Sequence, residues 1–211
     1  MIRRSVPGYE TIISLTGLIA QQHASAASRV YDLGCSLGAA TVAMRHHLVQ
    51  PVQRIVAVDN AYAMACRCRE AVAGVEGPPV DVICADIRDV RIEQASVVVL
   101  NFTLQFIEPA LRQAVLQNIY KGMLPGGVLL VSEKITFADA AQRRHMEQLH
   151  VAFKKANGYS DLEISQKRSA LENVLLPDTL ATHQQRLQQA GFRHSELWFR
   201  CFNFVSLLAY K

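Results

Sequence analysis

The 211-residue chain is half apolar, with few low-complexity tracts, so it is long enough for one globular domain with a full core, residues 1–211, and no linker or repeat divides it. Its formal charge of +4 and pI near 8.9 come from basic residues scattered among acidic ones, which reads as a mixed solvated surface rather than a nucleic-acid footprint. No apolar run approaches the ~20 residues a bilayer needs, the start carries no signal-peptide pattern, and five cysteines without a C-x-x-C pair argue against a disulfide framework; a soluble cytoplasmic protein with reduced thiols, no membrane contact and no metal is expected.

Residues 1–8 are polar and end in Pro-Gly, a loop that delivers Tyr9 to a helix whose apolar stripe is Ile12, Ile13, Leu15, Leu18 and Ile19. Arg29–Leu33 predicts a first buried strand, which breaks at Gly34 into Gly34-Cys35-Ser36-Leu37-Gly38 and then a helix to about Leu48. Arg54–Asp59 predicts the second strand, residues 61–73 a helix, 74–79 a breaker-rich loop, and Val80–Cys84 a third strand ending near Asp86. Residues 96–101 predict a fourth, nearly all β-branched and therefore buried on both faces of a parallel sheet. Pro109 opens a helix to about Met123, Leu124-Pro125-Gly126-Gly127 predicts a turn, and 128–132 a fifth strand. A polar helical insertion over about 137–176, holding His145, His150, Lys154, Lys155, Tyr159, Lys167 and Arg168, interrupts the alternation and predicts a lid or partner surface. A helix over 178–190 stops at Gly191, and strands at 195–202 and Phe204–Tyr210 close the chain as antiparallel neighbours. The expected class is α/β: a Rossmann-like, doubly wound, mostly parallel sheet with an antiparallel C-terminal strand and a helical insertion.

In such sheets ligands bind beyond the carboxyl ends of the strands, near the switch in strand order. Polar residues collect at those ends: Asp32 with Gly34, Asp59 with Asn60, Asp86, and Asn101. One carboxylate can accept from both ribose hydroxyls and the next from an adenine amine. Asp and Asn also favour turns and caps, so a single one carries little; four in corresponding places carry more. The glycine loop narrows the choice of nucleotide. Dinucleotide sites place a central glycine against the pyrophosphate, and Ser36 stands there instead; no G-x-x-x-x-G-K-[ST] loop is present either. A phosphate-free adenosine compound fits better, and S-adenosylmethionine meets that description, with its amino-acid tail against the loop.

Several motifs carry a resemblance. The D-L-G-C-S-L-G loop at 32–38, Asp59, the Asp86-Ile87 pair and the L-P-G-G turn at 124–127 resemble the motif series of class I S-adenosylmethionine-dependent methyltransferases. Across essentially the whole chain, R-S-V-P-G-Y at 4–9, N-F-T-L-Q-F at 101–106, N-G-Y-S at 157–160 and E-I-S-Q-K-R-S at 163–169 are similar to the bacterial carboxy-S-adenosylmethionine synthases. That resemblance implies conversion of S-adenosylmethionine and prephenate to carboxy-S-adenosylmethionine and phenylpyruvate, the product serving to carboxymethylate a wobble uridine in tRNA. The positions matching the family's ligand contacts are Tyr9, Gly34, Cys35, Ser36, Asp59, Asn60, Asp86, Ile87, Asn101 and Arg168. It further implies a homodimer, with direct contact to tRNA not required. The family begins with an acidic and aromatic segment ahead of R-S-V-P-G-Y, so a lid edge is expected to be missing from this chain.

The chemistry of Arg168 agrees with that resemblance. A transferable methyl group needs no cation beside it, whereas a carboxymethyl sulfonium presents a carboxylate that a guanidinium grips bidentately. Prephenate loses carbon dioxide and its ring hydroxyl on aromatising, the sulfonium makes its methyl protons acidic, and the resulting ylide attacks carbon dioxide in a closed site. Released hydroxide, His145 and His150 are the candidate proton acceptors, and no catalytic residue is assigned. Three other readings compete. An ordinary methyltransferase would release S-adenosylhomocysteine; a non-catalytic nucleoside- or tRNA-binding module would show RNA affinity with a steep salt slope; a dehydrogenase would need the glycine that Ser36 replaces.

Overall fold

The computed structural model describes residues 2–49, 51–171 and 174–211. After a short 3-10 turn at Ile2–Arg4, the elements run α1 (Tyr9–His23), β1 (Arg29–Leu33), α2 (Ala39–His47), β2 (Arg54–Asp59), α3 (Tyr62–Ala73), β3 (Val80–Cys84) and β4 (Ala95–Asn101). They continue as α4 (Pro109–Gly122), β5 (Met123–Lys134), α5 (Ala140–Ala156), α6 (Asp161–Leu171), α7 (Leu180–Ala190), β6 (His194–Cys201) and β7 (Phe204–Tyr210). The seven strands form one sheet in the order β3-β2-β1-β4-β5-β7-β6. β1 to β5 pair in parallel, and β7 runs antiparallel to both β5 and β6. The winding reverses between β1 and β4, so the loops leaving those two strands part and open a crevice at their carboxyl ends.

Side chains on β4 alternate between two cores, as a pleated strand requires. Val98 and Leu100 join Tyr31, Leu33 and Leu129 under α4 and α7, through Val115, Leu116, Ile119 and Leu187. Val97 and Val99 join Val30, Ile55, Val128 and Leu130 on the other face, under Ala20 of α1 and Met44 of α2. Gly17 brings α1 against α2, since a Cβ there would lie 2.6 Å from the carbonyl oxygen of Ala43.

Three boundaries differ from the sequence reading by more than one residue. The L-P-G-G turn lies inside β5 as an irregularity, between the Ala95–Met123 and Val97–Val128 pairs. β5 also continues two residues past Ser132, because β7 pairs Glu133 with Val205 and Lys134 with Phe204. α7 starts at Leu180, where the Thr179 side chain accepts the N–H of Thr182, while Asp178 is taken instead by Arg112 and Arg186.

The insertion is fastened from both sides. Arg4 donates to the carbonyls of Asn157 and Gly158, His150 Nε2–H donates to the Ser5 carbonyl at 2.8 Å, and Lys167 Nζ donates to Ser5 Oγ at 2.9 Å, so the first turn of the chain and the insertion hold each other over the crevice. Opposite, the fully buried Arg112 guanidinium donates to the carbonyls of Ile107, Gln105 and Leu176 and to Asp178, tying the segment after β4 to the segment before α7.

Candidate active site

A cavity of about 1090 Å³ opens at the carboxyl ends of β1, β2, β4 and β5 and runs under the insertion. All ten candidate residues lie on its wall: Tyr9, Gly34, Cys35, Ser36, Asp59, Asn60, Asp86, Ile87, Asn101 and Arg168.

The glycine loop is built by backbone geometry. Gly34 has φ +86°, and a Cβ on it would fall 2.2 Å from Thr103 Oγ1, which donates to the Leu33 carbonyl at 2.9 Å and holds the exits of β1 and β4 together. Ser36 also sits in the left-handed region, φ +48°, a conformation that costs an L-residue about 1–2 kcal/mol. Its N–H is held by Asp59 Oδ2 at 2.9 Å, while Asp59 Oδ1 accepts the Ala61 N–H at 2.9 Å. Asp59 therefore braces the loop and the start of α3 before any ligand arrives, and each oxygen keeps a lone pair facing outward. The replacement of glycine by Ser36 reads as a change of ligand in the sequence; in three dimensions it is also a strained residue tied down by that carboxylate.

Asp86 is gripped by Arg88 through Nε, Nη2 and the backbone N–H, and this guanidinium holds its carboxyl below the usual carboxylate range. Asn101 lies on the cavity wall; its Oδ1 accepts the Ser132 hydroxyl at 2.7 Å, and its Nδ2 is buried with no partner among the described residues. On the cavity floor the buried Asp32 accepts a bond from Thr41 Oγ1, and desolvation raises its pKa to about 6. Burial likewise raises the Tyr9 phenol, so it stays a neutral donor at physiological pH, and the Asp32 carboxylate adds to that shift.

The wall formed by β5 and the insertion has the opposite sign. Lys134, Lys154, Lys167 and Arg168 all reach it, with Glu147 as its carboxylate. Sequence reasoning picked out only Arg168 as a ligand contact there; the three lysines look like a solvated helix face in one dimension. The available signal was the four-residue spacing of His150 and Lys154, which puts both on one face of α5. Of the two histidines considered as proton acceptors, His145 is exposed and off the cavity wall. His150 is on the cavity wall, buried against Phe204, and burial lowers it to about 4, so it is neutral and its Nε2–H ties the insertion to Ser5.

This sheet order with its strand-end site defines the class I methyltransferase fold. The methyltransferase-domain profile matches residues 30–127. An S-adenosylmethionine-dependent methyltransferase from Leishmania major shares the fold at 14% identity and a TM-score of 0.66, covering 97% of this chain and 73% of that one. A cyclopropane synthase from Mycobacterium tuberculosis does so at 15% and 0.65, covering 89% and 62%. At the sequence level, the carboxy-S-adenosyl-L-methionine synthase of Geobacter metallireducens is 61% identical over 100% of this chain and 87% of its own length. That of Klebsiella pneumoniae is 56% identical over 100% and 86%. The chain belongs to the carboxy-S-adenosyl-L-methionine synthase family, a family of transferases.

Proposed function

We propose that this chain makes carboxy-S-adenosylmethionine from S-adenosylmethionine, with prephenate as the carboxyl donor and phenylpyruvate as the second product. The observation that carries the reading is the two-signed cavity, in which carboxylates and a glycine loop face a guanidinium across one space. Asp59 and Asn60 take the ribose, Asp86 and Ile87 the adenine, and Gly34 to Ser36 with Tyr9 the amino-acid end. Asn101 borders the ligand between these groups, and Arg168 takes the new carboxylate.

The reaction balances without an oxidant. Prephenate breaks the bond to its ring carboxylate and the bond to its ring hydroxyl, giving phenylpyruvate, carbon dioxide and hydroxide. Hydroxide removes a proton from the sulfonium methyl to give water and an ylide. The ylide carbon forms its bond to carbon dioxide, and Arg168 gathers the charge that develops on the new carboxylate. An ordinary methyltransferase leaves the cationic wall without a task, because S-adenosylmethionine is itself a net cation. Leu162, Val174 and Leu176, exposed on the insertion, suit a homodimer contact. The product then feeds tRNA wobble-uridine modification, with no tRNA contact by this chain required.

The test is Arg168→Ala, titrated calorimetrically with both sulfonium compounds. Charge-assisted hydrogen bonds contribute about 1.5–3 kcal/mol each, so carboxy-S-adenosylmethionine is expected to weaken about 10- to 100-fold more than S-adenosylmethionine. Equal losses would refute the role of Arg168. Mass spectrometry of ligand released from the purified protein addresses the reaction itself: the mass of S-adenosylmethionine plus a carboxyl group supports it, and S-adenosylhomocysteine alone overturns it.

A further inference from the structure

Arg168 accounts for one cation on the β5 and insertion wall; three more remain. Lys134 comes from the end of β5, Lys154 from α5 and Lys167 from α6, so three separate elements deliver ammonium groups to one stretch of cavity wall. Lys154 is only 9% exposed, and among the described residues neither it nor Lys134 has a side-chain hydrogen bond or ion pair. Lys167 is oriented by its bond to Ser5 Oγ and by the Tyr159 ring, 5.6 Å from Nζ. The groups sense one another. Burial and the charges of Lys134, Lys167 and Arg168 draw Lys154 down to about 8; burial and Arg168 lower Lys134 as well, against the single Glu147 carboxylate, which offsets part of that shift and leaves four cations facing one anion on this wall.

Unpaired, partly desolvated ammonium groups that repel each other destabilise an empty protein, and proteins seldom bury a lysine without a partner. A sulfonium ligand does not relieve them, because it adds positive charge to the same cavity. An anion does. Resting on the function proposed above, in which a second substrate enters beside the sulfonium compound, we infer that Lys134, Lys154 and Lys167 form the docking site of a dianionic dicarboxylate donor, distinct from the guanidinium that receives the transferred carboxyl group. The site selects the donor by charge: two carboxylates meet three ammonium groups, while monocarboxylates such as phenylpyruvate are held less firmly and leave after turnover.

The experiment measures prephenate against the protein loaded with S-adenosylmethionine, by calorimetry and by steady-state formation of carboxy-S-adenosylmethionine. Lys154→Met keeps the apolar stem and removes the charge. It is expected to raise the prephenate Kd and KM at least tenfold while the Kd for S-adenosylmethionine stays within twofold, and its Tm is expected not to fall. Lys134→Met with Lys154→Met is expected to lose about 100-fold, and Lys154→Arg to restore part of the binding. Unchanged prephenate affinity in Lys154→Met, or equal weakening of both substrates, overturns the docking site even while turnover continues. Tight, lysine-dependent prephenate binding with no carboxylated product supports the docking site and overturns the proposed reaction. Absence of prephenate binding by the wild type overturns both.

Discussion

Replacing Asp59 with alanine tests whether the strand-end carboxylate does two jobs at once. In the free protein its oxygens accept the N–H groups of Ser36 and Ala61, both at 2.9 Å. In the function proposed above, their remaining lone pairs accept from two ribose hydroxyls. Losing two hydrogen bonds to a charged acceptor, each about 1.5–3 kcal/mol, removes about 3–6 kcal/mol of binding. Water replaces part of that at a half-exposed site, so the lower end applies and S-adenosylmethionine should bind roughly 100-fold more weakly. Asp59→Asn retains one acceptor oxygen. It should keep either the brace on Ser36 or the one on Ala61, and one hydroxyl contact, for a loss of about tenfold. Calorimetric titration with S-adenosylmethionine gives both values, and a thermal melt on the same samples separates lost binding from lost fold. A Kd within threefold of wild type for Asp59→Ala, or weaker binding by Asp59→Asn than by Asp59→Ala, would refute the reasoning.

Two further expectations concern charge in the interior. Desolvation raises Asp32 to about 6, so its carboxylate is ionised above that pH and neutral below it. Affinity for a cationic sulfonium ligand should therefore fall as pH drops from 7 to 5, and Asp32→Asn should bind more weakly at pH 8 and show no such step; a wild-type Kd that is flat with pH would exclude it. Arg112→Met leaves three carbonyls without their donor and Asp178 with Arg186 as its remaining cation. Breaking such a buried pair from one side costs about 3–5 kcal/mol. Denaturant unfolding should show that loss; a change below about 1 kcal/mol would remove Arg112 as the clamp between the segments flanking α4 and α7.

Much of the fold was legible in one dimension, because its signals are local. The β-branched run over 97–99 marks a strand buried on both faces, and in the structure those valines divide between the two cores. The acidic and amide residues closing β1, β2 and β4 and following β3 lie where a parallel sheet opens its crevice, so Asp59, Asp86 and Asn101 reach the cavity from strand-end polarity alone, whereas Tyr9 and Arg168 were named only through the resemblance. Elements went astray where a distant partner decides them. β5 outlasts its apolar run because β7 supplies a ladder for Glu133 and Lys134, and Asp178 leaves the helix start because Arg112, far away in the chain, claims it.

The sequence by itself determined the order of strands and helices, the glycine loop and its row of strand-end acids, since period, turn chemistry and strand-end polarity act over a few residues. Only the tertiary structure decided that Ser36 takes a left-handed conformation under Asp59, that His150 is a buried strut, and that Lys134, Lys154, Lys167 and Arg168 share one wall. Those outcomes depend on charges and hydrogen bonds between groups up to 162 residues apart, as for Ser5 and Lys167, and no local pattern of residues encodes them.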